Sequence, residues 1–276
     1  MQFVAGMKTT EQSSHYQHLE AMSTRELLEG INAEDRQVPE AVAQAIPAIE
    51  KLVEGIVARV PRGGRVFYTG AGTSGRLGIV DASEIPPTYG VEDLFIGLMA
   101  GGDTAIRHAV EGAEDRPEQG WQDLLPYEPA SQDTLVGITA SGGAPYVVGA
   151  LREARKQGLL TAAITNNEDS PVTREAEIAI VATVGPEFVT GSTRMKSGTS
   201  AKLILNMIST AVMVRLGHVQ GSRMVDMQLT NSKLVDRGTR MILESTGLQD
   251  YQSARELLLR HGSVRSAVEA YFKEKQ

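Results

Sequence analysis

Residues 65–90, RVFYTGAGTSGRLGIVDASEIPPTYG, constrain the fold more than any other stretch of this chain. Val66, Phe67 and Tyr68 form a short apolar run that reads as a buried strand. A glycine-rich turn follows at 70–75, and the apolar spacing of Leu77, Ile79 and Val80 then suits a helix. Pro86 and Pro87 are expected to stop that helix, because proline lacks an N–H and disfavours helical backbone in the residue before it. A strand, a glycine turn and a helix in this order bring backbone N–H groups up to an anion. The unpaired amides and the positive end of the helix dipole face the same point.

Gly70, Gly72 and Gly75 satisfy G-x-G-x-x-G, a pattern that is weak evidence by itself. A nicotinamide-binding unit also needs an acidic residue closing its second strand, roughly 20 residues on. Here the second apolar run, 94–99, ends in Ala100-Gly101-Gly102, and Asp103 comes late for that role. Thr73 and Ser74 add two hydroxyls, which with amide N–H groups suit one compact phosphate. A sugar phosphate is therefore favoured over a dinucleotide. A turn that only lets helix and sheet pack closely stays open as the plainer alternative.

The chain of 276 residues suits one large α/β domain with extensions, or two small domains. It has no cysteine, which excludes disulfides, a thiolate nucleophile and a cysteine zinc site, and fits a reducing compartment. No apolar run suits a signal peptide or a membrane span, so a cytoplasmic location is expected and no membrane partner. The net charge is −7 with no basic stripe, which argues against nucleic acid as a partner. An anionic substrate must then be held by local donors against the global charge.

Five strand-like runs, at 66–69, 94–99, 134–139, 160–165 and 178–183, are mostly separated by connecting or helical segments of ten or more residues. This alternation predicts an α/β fold, a five-stranded parallel sheet flanked by helices. Residues 1–50 are expected to be an N-terminal helical segment, 51–220 the sheet domain and 221–276 a helical appendage. After Pro39, the residues Val42, Ile46, Ile49, Val53, Ile56 and Val60 recur at steps of four and three, as in an amphipathic helix. That helix either covers the sheet or joins two copies of the chain. A second hydroxyl-bearing turn, TASGGAP at 139–145, follows the third strand, and a helix is expected from Tyr146. The two turns can face each other across the carboxyl ends of the strands, where open α/β sheets bind ligands. A third hydroxyl-rich stretch, GSTRMK at 191–196, precedes a long helix from about Ser197.

Taken together these segments resemble a sugar isomerase (SIS) domain, a phosphosugar-binding module. TGAGTSGRLGIVDASEIPPTYG, AGGDTAIRHAVEGAED, VTGSTRMKSGTSAKLILNMIST and MVDMQLTNSKL resemble the N-acetylmuramic acid 6-phosphate etherase family more closely. The resemblance covers nearly the whole chain up to about residue 235. It implies removal of D-lactate from N-acetylmuramic acid 6-phosphate in cytoplasmic recycling of cell-wall sugar, with no metal and no organic cofactor. It also implies a catalytic pair, Glu84 in DASE and Glu114 in EGAED. Substrate contacts are expected from Gly72, Thr73, Ser74, Thr139, Ser141, Gly142, Ser192, Thr193, Arg194 and Lys196. The chain departs from the family pattern at Gly143-Ala144, where Arg-Thr is expected.

Without the resemblance, Glu84 reads as a solvated helix-end residue and Glu114 as a surface helix charge. Glu111, Glu114 and Asp115 cluster in sequence, and like charges or burial raise a carboxyl pKa. His108 and Glu111, three apart, could share a helix face, with no second pair at metal spacing. A helix from Ser74 to Glu84 would be roughly 15 Å long at 1.5 Å per residue. Either it breaks near Gly78, or Glu84 serves a site shared between two subunits, which favours a homodimer. Two other functions stay open. Glu187, ahead of Ser192-Thr193, lies where SIS-fold aldose–ketose isomerases carry a base. A non-catalytic phosphosugar sensor, like the glucokinase regulatory protein, is the other.

Overall fold

Residues 8–274 are described by the structure, a computed structural model. Helices α1 (Thr24–Asp35) and α2 (Val38–Arg59) precede β1 (Val66–Gly70). Then come α3 (Gly72–Ser83), α4 (Ile85–Tyr89), β2 (Phe95–Met99), α5 (Gly102–Arg107) and α6 (Gln119–Gln122). They are followed by β3 (Thr134–Ile138), α7 (Pro145–Lys156), β4 (Leu160–Thr165), α8 (Pro171–Glu175) and β5 (Ile178–Val181). The chain continues with α9 (Lys196–Arg215), a short antiparallel pair β6 (Val219–Gln220) and β7 (Arg223–Met224), and then α10 (Ser232–Thr246), α11 (Tyr251–His261) and α12 (Val264–Lys273). Two compact units result. One holds the chain up to Ala82 and Phe95–Ser209; the other holds Ser83–Leu94 and the chain from Thr210.

In the first unit the strands pair in parallel in the order β2-β1-β3-β4-β5, which bears out the five-stranded parallel sheet. Strands covered on both faces are near-continuous apolar runs, and every residue of β1, β3 and β4 is buried. Helix α7 lays Val147, Ala150, Leu151 and Ala154 over Phe67 and Leu135. Gly137 makes that approach possible, since a Cβ there would stand 2.6 Å from Val147 Cγ1. On α2 the stripe is centred on Ala45, Ile49, Leu52 and Ile56, all buried. The expected member Ile46 falls at the edge of that stripe and is 48% exposed.

Helix α3 runs unbroken through Gly78, where a Cβ would stand 3.0 Å from Tyr68 Cβ. That glycine lets helix and sheet meet and does not break the helix. Helix α3 ends at Ser83, just ahead of Pro86 and Pro87, as expected. The two prolines occupy the first turn of α4, where a missing N–H would be unpaired in any case.

The second unit is built on α10, α11 and α12, which bury Met227, Ile242, Leu258, Val264 and Ala267 together. Each helix is capped by its own preceding side chain. Asn231, Asp250 and Ser263 accept hydrogen bonds from backbone N–H groups of the first turn. The α4 segment joins this unit through Gly90, whose φ is +69° and whose Cβ would lie 2.2 Å from Asp226 O. Asp226 receives Arg265 Nε at 2.7 Å and Nη2 at 2.6 Å, and lies 2.9 Å from His218 Nδ1.

Candidate functional site

Strands β1 and β3 are neighbours, with Gly70 opposite Ile138, yet the chain leaves β1 toward β2 and returns on the other side to β3. Connections that diverge from adjacent strands open a crevice at their carboxyl ends. A cavity of about 180 Å³ lies there. Gly72, Thr73 and Ser74 line it from the turn after β1, and Thr139 and Ser141 from the turn after β3. Thr193 and Glu114 complete the group of expected residues on its wall.

Backbone constraints hold these turns. Gly70 and Gly75 touch, a Cβ on Gly75 standing 2.7 Å from Gly70 O, so the chain doubles back tightly into α3. Thr139 N donates to Ile164 O at 3.0 Å, and Tyr146 N donates to Glu114 O at 3.0 Å. The second bond ties the loop carrying Glu114 to the first turn of α7. Gly198, in the first turn of α9, faces α3: a Cβ there would stand 3.6 Å from Thr73 Cγ2.

Four expected contacts lie outside the cavity wall: Gly142, Ser192, Arg194 and Lys196. Gly142 shapes its turn with φ +69°, and a Cβ there would overlap Ser170. Arg194 is exposed. The Lys196 side chain is 1% exposed, and its Nζ lies 2.5 Å from Glu34 Oε2 on α1. Glu187 is fully buried beside it. One of its oxygens accepts from Lys196 N at 2.8 Å, the other from Ser197 N at 3.0 Å and Ser197 Oγ at 2.8 Å.

Of the carboxylates that cluster in sequence, Glu111 and Glu114 line different cavities. Glu114 is exposed and lines the one described above, while Glu111 lines one of about 590 Å³ along the edge strand β2. That larger space has mixed charges on its wall, from Asp103, Arg116 and Asp123, and no hydroxyl-bearing turn. His108 is not helical: α5 ends at Arg107, and His108 has φ −127° and ψ 137°. Glu84 is exposed in the second unit, where it precedes α4 as its N-cap. In the first unit, Asn206 Nδ2 and Ser209 Oγ donate to Asp81 Oδ1 at 2.7 and 3.2 Å. Burial pushes the Asp81 carboxyl up, and these hydrogen bonds offset part of that rise.

One charged residue on the cavity wall was not expected. Glu11 enters from an N-terminal strap and stands near Gly191. The strap is pinned by Ser14 Oγ, which donates to Phe188 O at 2.7 Å, and by Ser14 N, which donates to Thr190 Oγ1 at 2.9 Å. EQSS carries no pattern of its own that points to a site, and only these contacts with the chain near residue 190 place it there.

Comparison with known proteins adds three findings. A family model described as the SIS domain matches residues 129–211, and one described as the glucokinase regulatory protein N-terminal SIS domain matches residues 48–155. An N-acetylmuramic acid 6-phosphate etherase of Porphyromonas gingivalis is 61% identical over 264 residues, covering 95% of this chain and 96% of the relative. One of Bacteroides thetaiotaomicron is 59% identical over 272 residues, covering 98% and 97%. Among solved structures, a phosphoheptose isomerase from Francisella tularensis superposes with a TM-score of 0.53 at 19% identity, over 70% of this chain and all of that one. The phosphoheptose isomerase of Neisseria gonorrhoeae does so with a TM-score of 0.52 at 16% identity, over 68% and 98%. At these identities the two superpositions show a shared fold.

Proposed function

Because this chain belongs to the N-acetylmuramic acid 6-phosphate etherase family, we propose that it is a carbon–oxygen lyase acting on that sugar phosphate. It releases D-lactate and leaves N-acetylglucosamine 6-phosphate, as a step in recycling cell-wall sugar in the cytoplasm. The observation that carries this proposal is the cavity at the ends of β1 and β3, where two hydroxyl-bearing turns and Glu114 share one wall.

The chemistry follows from the substrate. Opening the sugar ring places an aldehyde at C1, which makes the C2 proton acidic and the C3 ether oxygen a β leaving group. A base removes the C2 proton while an acid protonates the ether oxygen. Lactate leaves, an unsaturated aldehyde remains, and water adds at C3. Each step needs a group within hydrogen-bond reach of its atom. The first two turns cradle the phosphate through Ser74, Thr73, Thr139 and Ser141. Glu114, beside them, takes the C2 proton. Glu84 is assigned as the acid toward the lactate oxygen, in a site that a second copy of the chain completes. The unbroken α3 between the first turn and Glu84 supports that homodimer.

Two features favour a lyase over the other readings. Glu187, the residue an isomerase would use as base, has both oxygens occupied by α9. A phosphosugar sensor has no evident use for an acid at position 84, which Glu84 provides. Incubation with N-acetylmuramic acid 6-phosphate followed by a D-lactate assay tests the proposal. Lactate release is expected. Tight binding without lactate would favour the sensor, and a ketose product the isomerase.

A further inference from the structure

The cavity offers hydroxyls and amides to a phosphate, yet among the described residues the charged ones on its wall are Glu11 and Glu114, both acidic. Of the two cations expected nearby, Lys196 is paired with Glu34 and Arg194 stands outside the wall. A phosphate placed near two carboxylates, in a chain of net charge −7, needs a local positive charge.

The N-terminal strap brings one, Lys8, to the second hydroxyl turn beside the cavity, though not onto the wall itself. Thr10 is fully buried and exchanges two hydrogen bonds with Asn167: Thr10 N donates to Oδ1 at 3.4 Å, and Nδ2 donates to Thr10 Oγ1 at 3.0 Å. Asn167 Nδ2 also donates to Ala140 O at 2.8 Å, within the second hydroxyl turn. The strap is therefore anchored to the turn that would hold the phosphate. Residues Thr9–Glu11 form a 3₁₀ turn closed by Glu11 N donating to Lys8 O at 2.9 Å. Glu11 is on the cavity wall. Lys8 Nζ lies 2.8 Å from the point where a Cβ on Gly143 would stand, and Ser141 Oγ lies 3.9 Å from the same point. Gly143 has no side chain to occupy that space, and the ammonium takes it. Gly143 N donates to Ser141 Oγ at 3.3 Å, so the lysine sits over a turn already folded around its hydroxyl.

We propose that Lys8 is the cation of the phosphate site, a substrate-binding residue delivered by the N-terminal strap onto the second hydroxyl turn. This role rests on the cavity being a phosphosugar site, and the test separates the two. Calorimetric titrations with N-acetylglucosamine 6-phosphate and with N-acetylglucosamine would compare wild type, Lys8→Met, Lys8→Arg and the double variant Lys8→Met/Gly143→Arg. Lys8→Met is expected to bind the phosphate ester about tenfold or more weaker, the loss of one charge-assisted contact, with the free sugar unaffected. Lys8→Arg keeps the preference for the ester. The double variant recovers affinity, because an arginine at 143 starts from the space the ammonium vacates. A Lys8→Met variant that binds the ester as wild type does would remove Lys8 from the site and leave the cavity's assignment standing. A wild type that binds ester and free sugar equally would overturn the phosphate cavity itself, and Lys8 with it.

Discussion

Glu187 accepts both the amide and the hydroxyl of Ser197 on one carboxylate oxygen, at 3.0 and 2.8 Å. Its other oxygen accepts Lys196 N, so the carboxylate caps the first turn of α9, where amides lack helical partners. A fully buried carboxylate in that position holds a helix and is not poised to move protons. Glu187→Gln is expected to lower unfolding free energy by about 1–3 kcal/mol, read from the urea midpoint. Turnover of the folded fraction stays close to wild type. Unchanged stability with turnover abolished would return Glu187 to the role of base.

Ser74→Ala and Ser141→Ala each remove a hydroxyl from the cavity wall. A hydrogen bond to a charged group is worth about 1.5–3 kcal/mol, and the loss should fall on substrate affinity. Direct titration with N-acetylglucosamine 6-phosphate measures it. Unaltered affinity in both variants would move the phosphate elsewhere.

Glu84→Gln and Glu114→Gln keep the size of the side chain and remove its capacity to exchange a proton. Binding of the product should persist in each, while kcat falls by about 10²–10⁴-fold, the usual contribution of a positioned acid or base. Near-wild-type kcat in either variant would cancel that residue's assignment. If the second copy completes the site, mixing the two inactive variants should restore activity through heterodimers that carry one intact pair.

The second unit carries its own pH dependence. Burial alone would raise the Asp226 carboxyl, but its hydrogen bonds with Arg265 and His218 outweigh burial and hold it below the ordinary range. A carboxyl depressed in the folded state contributes stability that is present above its unfolded pKa, about 3.9, and lost as pH falls through the folded value. Asp226→Asn should lower Tm near neutral pH, and its difference from wild type should shrink in acid. A difference that stayed constant down to about pH 3 would mean the charge contributes nothing.

The strands were readable because buried parallel strands are continuous apolar runs, and the observed ends differ from the expected runs by at most two residues. The two principal turns were readable because each sets hydroxyls beside glycine immediately after a strand. What escaped depends on contacts distant in sequence. Lys196 looks like a free phosphate ligand in GSTRMK, and its partner Glu34 lies 162 residues away. Glu11 and Lys8 lie in a polar stretch without periodicity, fixed by Asn167 some 157 residues on from Thr10. Nothing in 83–94 signals that it joins the C-terminal unit, because the bonds that hold it there, such as Gln228 N donating to Pro87 O, come from far along the chain.

The central claim is that lactate leaves by elimination and that water then adds to the sugar. Turnover of N-acetylmuramic acid 6-phosphate in oxygen-18 water and in deuterium oxide, with fragment mass analysis of both products, tests it most directly. Elimination and hydration break the C3–oxygen bond on the sugar side. Oxygen-18 should therefore appear at C3 of N-acetylglucosamine 6-phosphate and not in the lactate hydroxyl, and deuterium should appear at C2. Fragmentation separates the C3 label from exchange at the C1 aldehyde. Label in the lactate hydroxyl, with the C2 hydrogen retained, would mean direct attack on the lactyl carbon and would contradict the roles given to Glu84 and Glu114.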